Sequence, residues 1–192
     1  MKGPGVLIDC GTSYVKVLYF DSGRRRIFPA RKAFRTMKRW NVAASTGHNR
    51  LGGAAPHVNE LVALAEGGLA MIDRPDFTLL DCGARDVKYV RVHDREVVEM
   101  DWNTECGAFA GQTVELLTGY LGIEPEKLPA GGQRIPVVCG VLGMTQMFDL
   151  ISQGESHESA FSKFLGGIAH NCENLVGRPG RSYLSRGLCE NT

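Results

Sequence analysis

The sequence predicts an α/β fold with a mixed β-sheet, and two observations lead to this prediction. A pattern of a buried apolar run, a turn and a second β-rich run occurs twice along the chain. Segments with apolar residues at helical spacing follow each copy of that pattern. Strands and helices that alternate in this way are typical of α/β proteins.

The repeated pattern predicts two β-hairpins with their turns at an Asp-x-Gly sequence. Hairpin 1, residues 6–21, reads VLIDCGTSYVKVLYFD, and hairpin 2, residues 78–94, reads TLLDCGARDVKYVRVHD. Five residues recur in register without a gap: Asp9, Cys10, Gly11, Val15 and Lys16 recur as Asp81, Cys82, Gly83, Val87 and Lys88.

The residue types in these hairpins suit phosphate and Mg²⁺. Glycine lets backbone N–H groups approach a phosphate closely, and Thr12 and Ser13 add hydroxyl donors. Aspartate oxygens can hold Mg²⁺ directly or through water. Lys16 and Lys88 either supply positive charge or are solvated in the outgoing strands. Two ordinary hairpins with Asp-Gly turns are the alternative, but five identities in register favour two hairpins that clamp a triphosphate between two lobes.

Between the hairpins, the sequence predicts the end of a strand at residues 42–44 and then a helix. Pro56 is well placed as the first residue of that helix. Its apolar stripe consists of Val58, Leu61, Val62 and Leu69.

Two cysteines, Cys106 and Cys139, each precede a glycine close to an apolar-striped helix, and a short strand is expected to end at Cys139. The first turn of a helix presents free N–H groups and partial positive charge, which lower a thiol pKa and suit a metal-ligating or redox cysteine. Burial in the core is an equal alternative. A symmetric dimer could supply four thiolates, the usual ligand set of an iron–sulfur cluster. Packing roles are expected for Cys10, Cys82 and Cys172.

Composition excludes several classes of function. The chain has 192 residues with 22 basic and 21 acidic side chains, so charge gives no case for binding nucleic acid or an anionic membrane. No apolar run approaches the ~20 residues of a membrane helix, and Asp9 interrupts any N-terminal signal-like run. Six cysteines without a CxxC pair argue against a disulfide framework and a zinc ribbon. We therefore expect a cytoplasmic protein.

The order of these motifs resembles a known group of proteins. The hairpins resemble the two phosphate motifs of the actin-like and sugar-kinase ATPase superfamily, whose lobes are ribonuclease H-like. The segments VAASTGHNR, HVNELVALAEGGLAM, NTECGAFAGQTVE and FDLISQGESHESAFSKFLGGIAHNCENLVGR resemble one branch of it. That branch contains the ATP-dependent activators of 2-hydroxyacyl-CoA dehydratases and the related ATPase subunits of benzoyl-CoA reductase.

The resemblance implies two lobes and a shared cluster. Residues 1–77 would form a first lobe with hairpin 1, and residues 78–192 a shortened second lobe with hairpin 2 and the cluster cysteines. A homodimer would bind ATP or ADP with Mg²⁺ and hold one [4Fe–4S] cluster through Cys106 and Cys139 of each subunit. ATP hydrolysis would drive low-potential electrons to a partner dehydratase or reductase.

The resemblance also assigns roles to single residues. The catalytic, metal-side acids would be Asp9, Asp81 and Asp86. The residues that contact the nucleotide would be Gly11, Thr12, Ser13, Lys16, Gly83 and Asn103.

Two departures from the family pattern keep other functions open. Gly83-Ala84-Arg85 stands where the family has Gly-Gly-Gln, and the end of the chain, GRPGRSYLSRGLCENT, resembles no Gly-Gly adenosine loop. These departures favour a non-hydrolysing nucleotide-binding or assembly module as the alternative. A small-molecule kinase is a further alternative, for which the sequence offers no identifiable catalytic base.

Overall fold

The computed structural model describes residues 5–37, 40–50, 55–103, 111–124, 127–129, 133–137, 139–177 and 180–185. The chain divides into two compact units, Met1–Asp73 and Arg74–Thr192. Each unit contains one four-stranded sheet.

The described residues of the first unit form four strands and two α-helices. They are β1 (Gly5–Cys10), β2 (Tyr14–Tyr19), β3 (Arg25–Pro29), α1 (Ala30–Thr36), β4 (Asn41–Thr46) and α2 (Glu60–Met71). The strand order is β3-β2-β1-β4. Strand β1 pairs antiparallel with β2 and parallel with β4, so the predicted hairpin 1 and the mixed sheet are both present.

The core of the first unit follows from the alternation of side chains along its strands. Every second residue of β1 is buried, as expected when one face of a sheet packs against a helix. Residues of β1 and β2 pack on that face against α1 and the residue after it. The buried set is Val6, Ile8, Cys10, Val15, Val17, Ala30, Ala33 and Met37.

Helix α2 begins at Glu60, so the predicted start at Pro56 is wrong. The Asn59 side chain caps the helix by accepting a hydrogen bond from the Leu61 amide at 2.8 Å. Pro56 and Val58 instead bridge to β4: the Ser45 amide donates to the Pro56 carbonyl and the Val58 amide donates to the Ser45 carbonyl. This pairing keeps the backbone extended until the cap.

In the second unit, the part of the chain that the structure describes forms four strands and three α-helices. They are β5 (Phe77–Cys82), β6 (Val87–His93), β7 (Glu96–Trp102), α3 (Gly111–Leu121), α4 (Gly140–Ser152), α5 (His157–Val176) and β8 (Ser182–Ser185). The strand order is β7-β6-β5-β8, and β5 pairs antiparallel with β6 and parallel with β8. The second sheet thus repeats the order and strand directions of the first.

The three helices of the second unit enclose its larger core. That core consists of Val114, Leu117, Ile123, Ile135, Val137, Met147, Ala160, Phe161, Phe164 and Ile168. The longest helix, α5, has 20 residues, but polar and charged side chains are spread along it. Across the described part of the chain, no helix combines the length and the apolar character that crossing a membrane requires.

The segment before Cys139 forms no strand at residues 135–137, contrary to the prediction. Its backbone bonds instead to α5: the Ile135 amide donates to the Lys163 carbonyl at 3.1 Å, and the Asn171 amide group donates to the Val137 carbonyl at 2.5 Å. A Cβ on Gly167 would lie 2.3 Å from the Ile135 oxygen. Glycine therefore allows the segment to lie directly on the helix.

Candidate functional site

Hairpin 1 places its aspartate and lysine opposite each other on neighbouring strands. Asp9 and Lys16 are register partners, and the Lys16 ammonium lies 2.6 Å from Asp9 Oδ2. Their side chains are 33% and 21% exposed, so solvent still reaches the pair. We expected the aspartate at the turn tip, but Asp9 belongs to β1 and the turn begins at Gly11. One residue, Cys10, therefore separates Asp9 from the turn.

The turn of hairpin 1 requires glycine at position 11. A Cβ there would lie 2.7 Å from the Tyr14 carbonyl oxygen, too close for any other residue without a backbone shift. The Lys16 ammonium lies 3.6 Å from the same position. Thr12 and Ser13 complete the turn and are half-buried. A carboxylate, an ammonium and two hydroxyls thus gather around one tight turn.

The segment after β4 holds this turn in place, which the sequence reasoning did not anticipate. Gly47 has a φ of +99°, and a Cβ on it would lie 2.5–2.6 Å from backbone atoms of Cys10. Asn49 donates from its side chain to the Gly11 carbonyl at 3.0 Å and from its backbone amide to the Cys10 carbonyl at 3.0 Å. The family-like segment VAASTGHNR contains both residues, so that motif was the available signal.

Thr46 adds a hydroxyl group beside Asp9. It is the register partner of Asp9 on the parallel strand β4. Its Oγ1 atom is buried and has no hydrogen-bond partner among the described residues. A buried hydroxyl without a partner costs free energy that a bound water or ligand can offset.

Hairpin 2 arranges the same residue types differently. Asp81 and Lys88 are again register partners, but Lys88 Nζ donates to Asp86 in the turn. Asp81 Oδ1 accepts a hydrogen bond from Ser185 Oγ on β8 at 2.6 Å. The Gly83 amide donates to the Asp86 carbonyl at 2.9 Å and closes the turn.

The first amides of α3 bond to the turn of hairpin 2. The Gly111 amide donates to the Gly83 carbonyl at 3.0 Å, and the Gln112 amide donates to the Ala84 carbonyl at 2.9 Å. The Asn103 amide donates to the Val87 carbonyl at 2.8 Å. Four predicted site residues of the second unit, Asp81, Gly83, Asp86 and Asn103, therefore lie at or beside this turn.

Of the two predicted cluster cysteines, the structure describes one. Cys139 is the N-cap residue of α4, with extended backbone (φ −137°, ψ 135°) and a half-buried side chain that makes no capping hydrogen bond. Its carbonyl accepts from the Gly143 amide at 2.8 Å. Cys106 lies outside the described residues. The thiol of Cys139 thus stands at the positive end of a helix, as predicted.

The remaining described cysteines have environments that differ in burial and in their effect on the thiol pKa. Cys10 is fully buried, and burial, reinforced by the charge of Asp9, raises its pKa to about 11. Cys82 is also buried, so both cysteines of the hairpins pack as expected. A hydrogen bond with Cys82 lowers the pKa of Cys172 on α5, although burial acts in the opposite direction.

Comparison with known sequences finds similarity to a dehydratase activating ATPase. The chain is 22% identical over 170 residues to the (R)-2-hydroxyglutaryl-CoA dehydratase activating ATPase of Acidaminococcus fermentans. The aligned region covers 79% of this chain and 65% of that protein, so the chain spans less than two thirds of its length. No family model matches the chain.

Solved structures give the fold. The chain is similar to the activator of the 2-hydroxyisocaproyl-CoA dehydratase from Clostridium difficile with bound ADPNP, with a TM-score of 0.73 and 16% identity, covering 98% of this chain and 82% of that one. Component A of the Acidaminococcus fermentans (R)-2-hydroxyglutaryl-CoA dehydratase gives a TM-score of 0.74 and 19% identity, with coverage of 97% and 84%. The chain has the actin-like ATPase fold.

A sugar-kinase structure of the same fold is more distant. It is a putative 2-dehydro-3-deoxygalactonokinase from Sinorhizobium meliloti, with a TM-score of 0.50 and 12% identity over 97% of this chain and 86% of that one. The predicted actin-like α/β fold is therefore confirmed, and so is the predicted similarity to dehydratase activators. The roles of the individual residues in this actin-like ATPase fold stay predictions.

Proposed function

We propose that this protein is an ATP-dependent activator that supplies low-potential electrons to a partner acyl-CoA dehydratase or reductase. The observation that carries the proposal is the pair of hairpins, each with an aspartate, a turn glycine and a lysine in the same register on sheets of the same strand order. The similarity to dehydratase activators, one of them a structure with bound ADPNP, supports it.

In hairpin 1, the chain's own groups suit a magnesium nucleotide. Gly11, Thr12 and Ser13 would contact phosphate oxygens, and the Lys16 ammonium would add positive charge beside them. Asp9 offers oxygen atoms of the kind that Mg²⁺ prefers, and it keeps partial exposure for a hydrated ion. The Thr46 hydroxyl, which has no partner among the described residues and lies at the register position of Asp9, suits a hydrogen bond to a water of that ion.

In hairpin 2, the groups suit a second set of contacts. Ser185 donates a hydrogen bond to Asp81 Oδ1 and thereby orients this carboxylate, whose oxygen atoms are of the kind that a hydrated Mg²⁺ prefers. Gly83 begins the turn and Asp86 ends it with its carboxylate hydrogen-bonded by Lys88. We assign Asp81 and Asp86 to the metal side and Gly83 to phosphate. Asn103 supports the strand beside them.

The cysteines suit an iron–sulfur cluster. Cys139 lies at the start of α4 with its thiol partly accessible, so the helix dipole would stabilise an anionic cluster. Cys106 would be the second ligand from each subunit of a homodimer. A [4Fe–4S] cluster supplies one-electron transfer when bound. Because its thiolate ligands must stay reduced, we place the protein in the cytoplasm, as an oxygen-sensitive enzyme.

A nucleotide-binding module that does not hydrolyse ATP is the second candidate, and the turn of hairpin 2 favours it. Ala84 and Arg85 offer no amide side chain for orienting a water or a phosphate. The Ala84 carbonyl is already engaged by the Gln112 amide. Bound ATP with no turnover and no iron would support this module over the activator.

Calorimetric titration with Mg-ADP tests the nucleotide part of the proposal. We expect Asp9→Ala and Asp81→Ala each to weaken binding at least ten-fold without unfolding the chain, because each removes oxygen ligands of the hydrated ion. Asp21→Ala is the matched control, since Asp21 is an exposed acid in the turn between β2 and β3. Unchanged affinity in both test variants would contradict phosphate and Mg²⁺ binding by the hairpins.

Iron and sulfide analysis after anaerobic purification tests the cluster. We expect iron in the wild type, its loss in Cys106→Ser and Cys139→Ser, and its retention in Cys172→Ser. Sedimentation of the same samples would show whether the dimer weakens with the loss of iron. A wild type without iron, or iron retained by both cluster variants, would contradict the shared cluster.

A further inference from the structure

Two cysteines of the second unit meet, and neither is itself assigned to nucleotide or cluster, although Cys82 lies between the assigned residues Asp81 and Gly83. Cys82 is the last residue of β5 and belongs to a buried cluster with Leu80, Val87, Tyr89 and Val176. Cys172, on α5, packs against that cluster and is hydrogen-bonded to Cys82 through its side chain. Cys82 is 9% exposed, whereas Cys172 is half-buried. Cys82 is thus the more enclosed residue of the pair, and Cys172 is the more exposed one.

We propose that Cys82 and Cys172 form a reversible disulfide when the protein meets a low-molecular-weight disulfide such as oxidised glutathione. The bond would join the end of β5, where hairpin 2 begins its turn, to helix α5. This inference goes beyond the proposed function and does not depend on bound nucleotide or iron. Cytosolic disulfides, where they form, are commonly transient and sense redox conditions.

The exchange proceeds in two steps that balance. The Cys172 thiolate attacks one sulfur of the glutathione disulfide, a mixed disulfide forms, and one glutathione leaves as thiolate and takes up the proton that Cys172 lost. Cys82 then attacks the Cys172 sulfur, loses its proton to solvent and displaces the second glutathione. Two cysteine thiols are oxidised by two electrons, and one glutathione disulfide is reduced to two thiols.

The environment of Cys172 suits the attacking role. It is the more exposed of the two, and its hydrogen bond with Cys82 favours the thiolate. Cys82 suits the resolving role because burial shields it from a bulky oxidant while it already contacts the sulfur it must attack. Their hydrogen bond and their packing in one buried cluster bring the two thiols together.

The first unit offers an internal control. Cys10 occupies the same position of hairpin 1 that Cys82 occupies in hairpin 2. It is fully buried, burial raises its pKa to about 11, and the described cluster around it contains no second cysteine. The same oxidant should therefore leave Cys10 as a thiol.

Peptide mapping of the anaerobically purified wild-type chain tests the proposal. The protein is treated with oxidised glutathione, the remaining thiols are alkylated, and the chain is digested with trypsin without reduction. Arginines and lysines separate the six cysteines into six different tryptic peptides, so every pair is distinguishable by mass. We expect a linked pair of peptides with Cys82 and Cys172 that disappears on reduction. Full alkylation of both residues after oxidation, or pairing of Cys172 with another cysteine, would overturn the proposal.

Variants test the order of the steps. Cys82→Ala should stop at a stable glutathione adduct on Cys172, because the resolving thiol is absent. Cys172→Ala should leave Cys82 alkylatable, with at least a ten-fold loss of its oxidation. Cys10→Ala, the matched control, should form the linked peptides as the wild type does. If Cys82→Ala carries no adduct while it remains folded, Cys172 is not the attacking thiol. Should a variant fail to fold, the wild-type map decides the proposal alone.

Discussion

Hairpins 1 and 2 share an Asp-Cys-Gly sequence and a Val-Lys pair, the same antiparallel register and sheets of the same order, yet their charged groups pair differently. In hairpin 1 the lysine pairs across the strands with Asp9. In hairpin 2 the lysine reaches the turn and pairs with Asp86, and Ser185 of β8 hydrogen-bonds to Asp81. A repeated motif has therefore kept its backbone while its electrostatics diverged.

One position accounts for the different partners of the two lysines. Tyr14 of hairpin 1 and Asp86 of hairpin 2 occupy equivalent places, two residues before the lysine. Tyr14 is 45% exposed and offers no carboxylate, so Lys16 turns to Asp9. Asp86 supplies a carboxylate within reach of Lys88, which is nearly buried. The comparison teaches that the partner of each lysine depends on the whole turn and not only on the shared residues.

The largest expected effect concerns the support of hairpin 1 by the segment after β4. We expect Gly47→Ala to reduce the free energy of unfolding by about 3 kcal/mol or more, because Gly47 combines a φ of +99° with backbone contacts of Cys10. Gly23→Ala is the matched control, since Gly23 has a φ of +63° and nothing within 4 Å of its added Cβ. It should cost about 1 kcal/mol. Equal losses in urea denaturation would show that the contact with Cys10 is unimportant.

The second largest expected effect is the pH dependence of stability that the buried Cys10 thiol of hairpin 1 causes. Burial raises the pKa of Cys10 to about 11, so the folded state holds the proton more tightly than the unfolded state does. The resulting stability is complete below the unfolded pKa of 9.0 and is lost as the pH rises to about 11. We expect a loss of about 2–3 kcal/mol over that range, since one pKa unit corresponds to 1.36 kcal/mol. Denaturation at several pH values should show a shallower slope in Cys10→Ala, and an unchanged slope would contradict the shifted thiol.

Removing the acid that pairs with the lysine should lower the free energy of unfolding by different amounts in the two hairpins. Asp86→Ala should cost about 2 kcal/mol, because it takes a carboxylate away from Lys88, which is 7% exposed. Asp9→Ala should cost about 1 kcal/mol, because Lys16 and Asp9 are both partly solvated. Thermal or chemical unfolding without nucleotide measures both. A larger loss in Asp9→Ala would reverse the comparison.

The smallest expected effects concern the hydroxyls beside the two strand aspartates. Ser185→Ala should cost about 1–2 kcal/mol through loss of the hydrogen bond to Asp81. Thr46→Val, at the equivalent place in the first unit, should be neutral or stabilise by up to ~1 kcal/mol, because Thr46 Oγ1 is buried without a partner among the described residues. If Thr46→Val instead destabilises the chain as Ser185→Ala does, Thr46 has a partner after all.

The sequence allowed prediction of the local parts of this fold. Both hairpins followed from neighbouring residues, and so did the position of Cys139 before α4. The support of Gly11 by Asn49 could not be predicted, because the two residues meet only after β4 pairs with β1. The aspartates were expected at the turn tips because an Asp-x-Gly sequence indicates a turn but not which of its residues still pair in the strands.

The other contacts could not be predicted because they join residues that are far apart in the sequence. The hydrogen bond from Ser185 to Asp81 joins residues 104 positions apart, and no local pattern marks β8 as the partner of β5. The sequence predicts packing roles for Cys82 and Cys172, and both residues do pack in buried clusters, but their hydrogen bond depends on how α5 lies on the sheet. Non-local contacts of this kind depend on the tertiary fold and not on spacing.

The parallel strands also set the order in which the two sheets can form during synthesis. The first sheet has all its strands once residue 46 has been made, whereas β5 begins at Phe77 and waits for β8 at Ser182–Ser185. At ~5–20 residues per second, the ribosome takes roughly 5–20 seconds to cover that interval. For that time one edge of the apolar strand β5 has no partner from its own sheet, which makes it a place where a chaperone or a second nascent chain can bind.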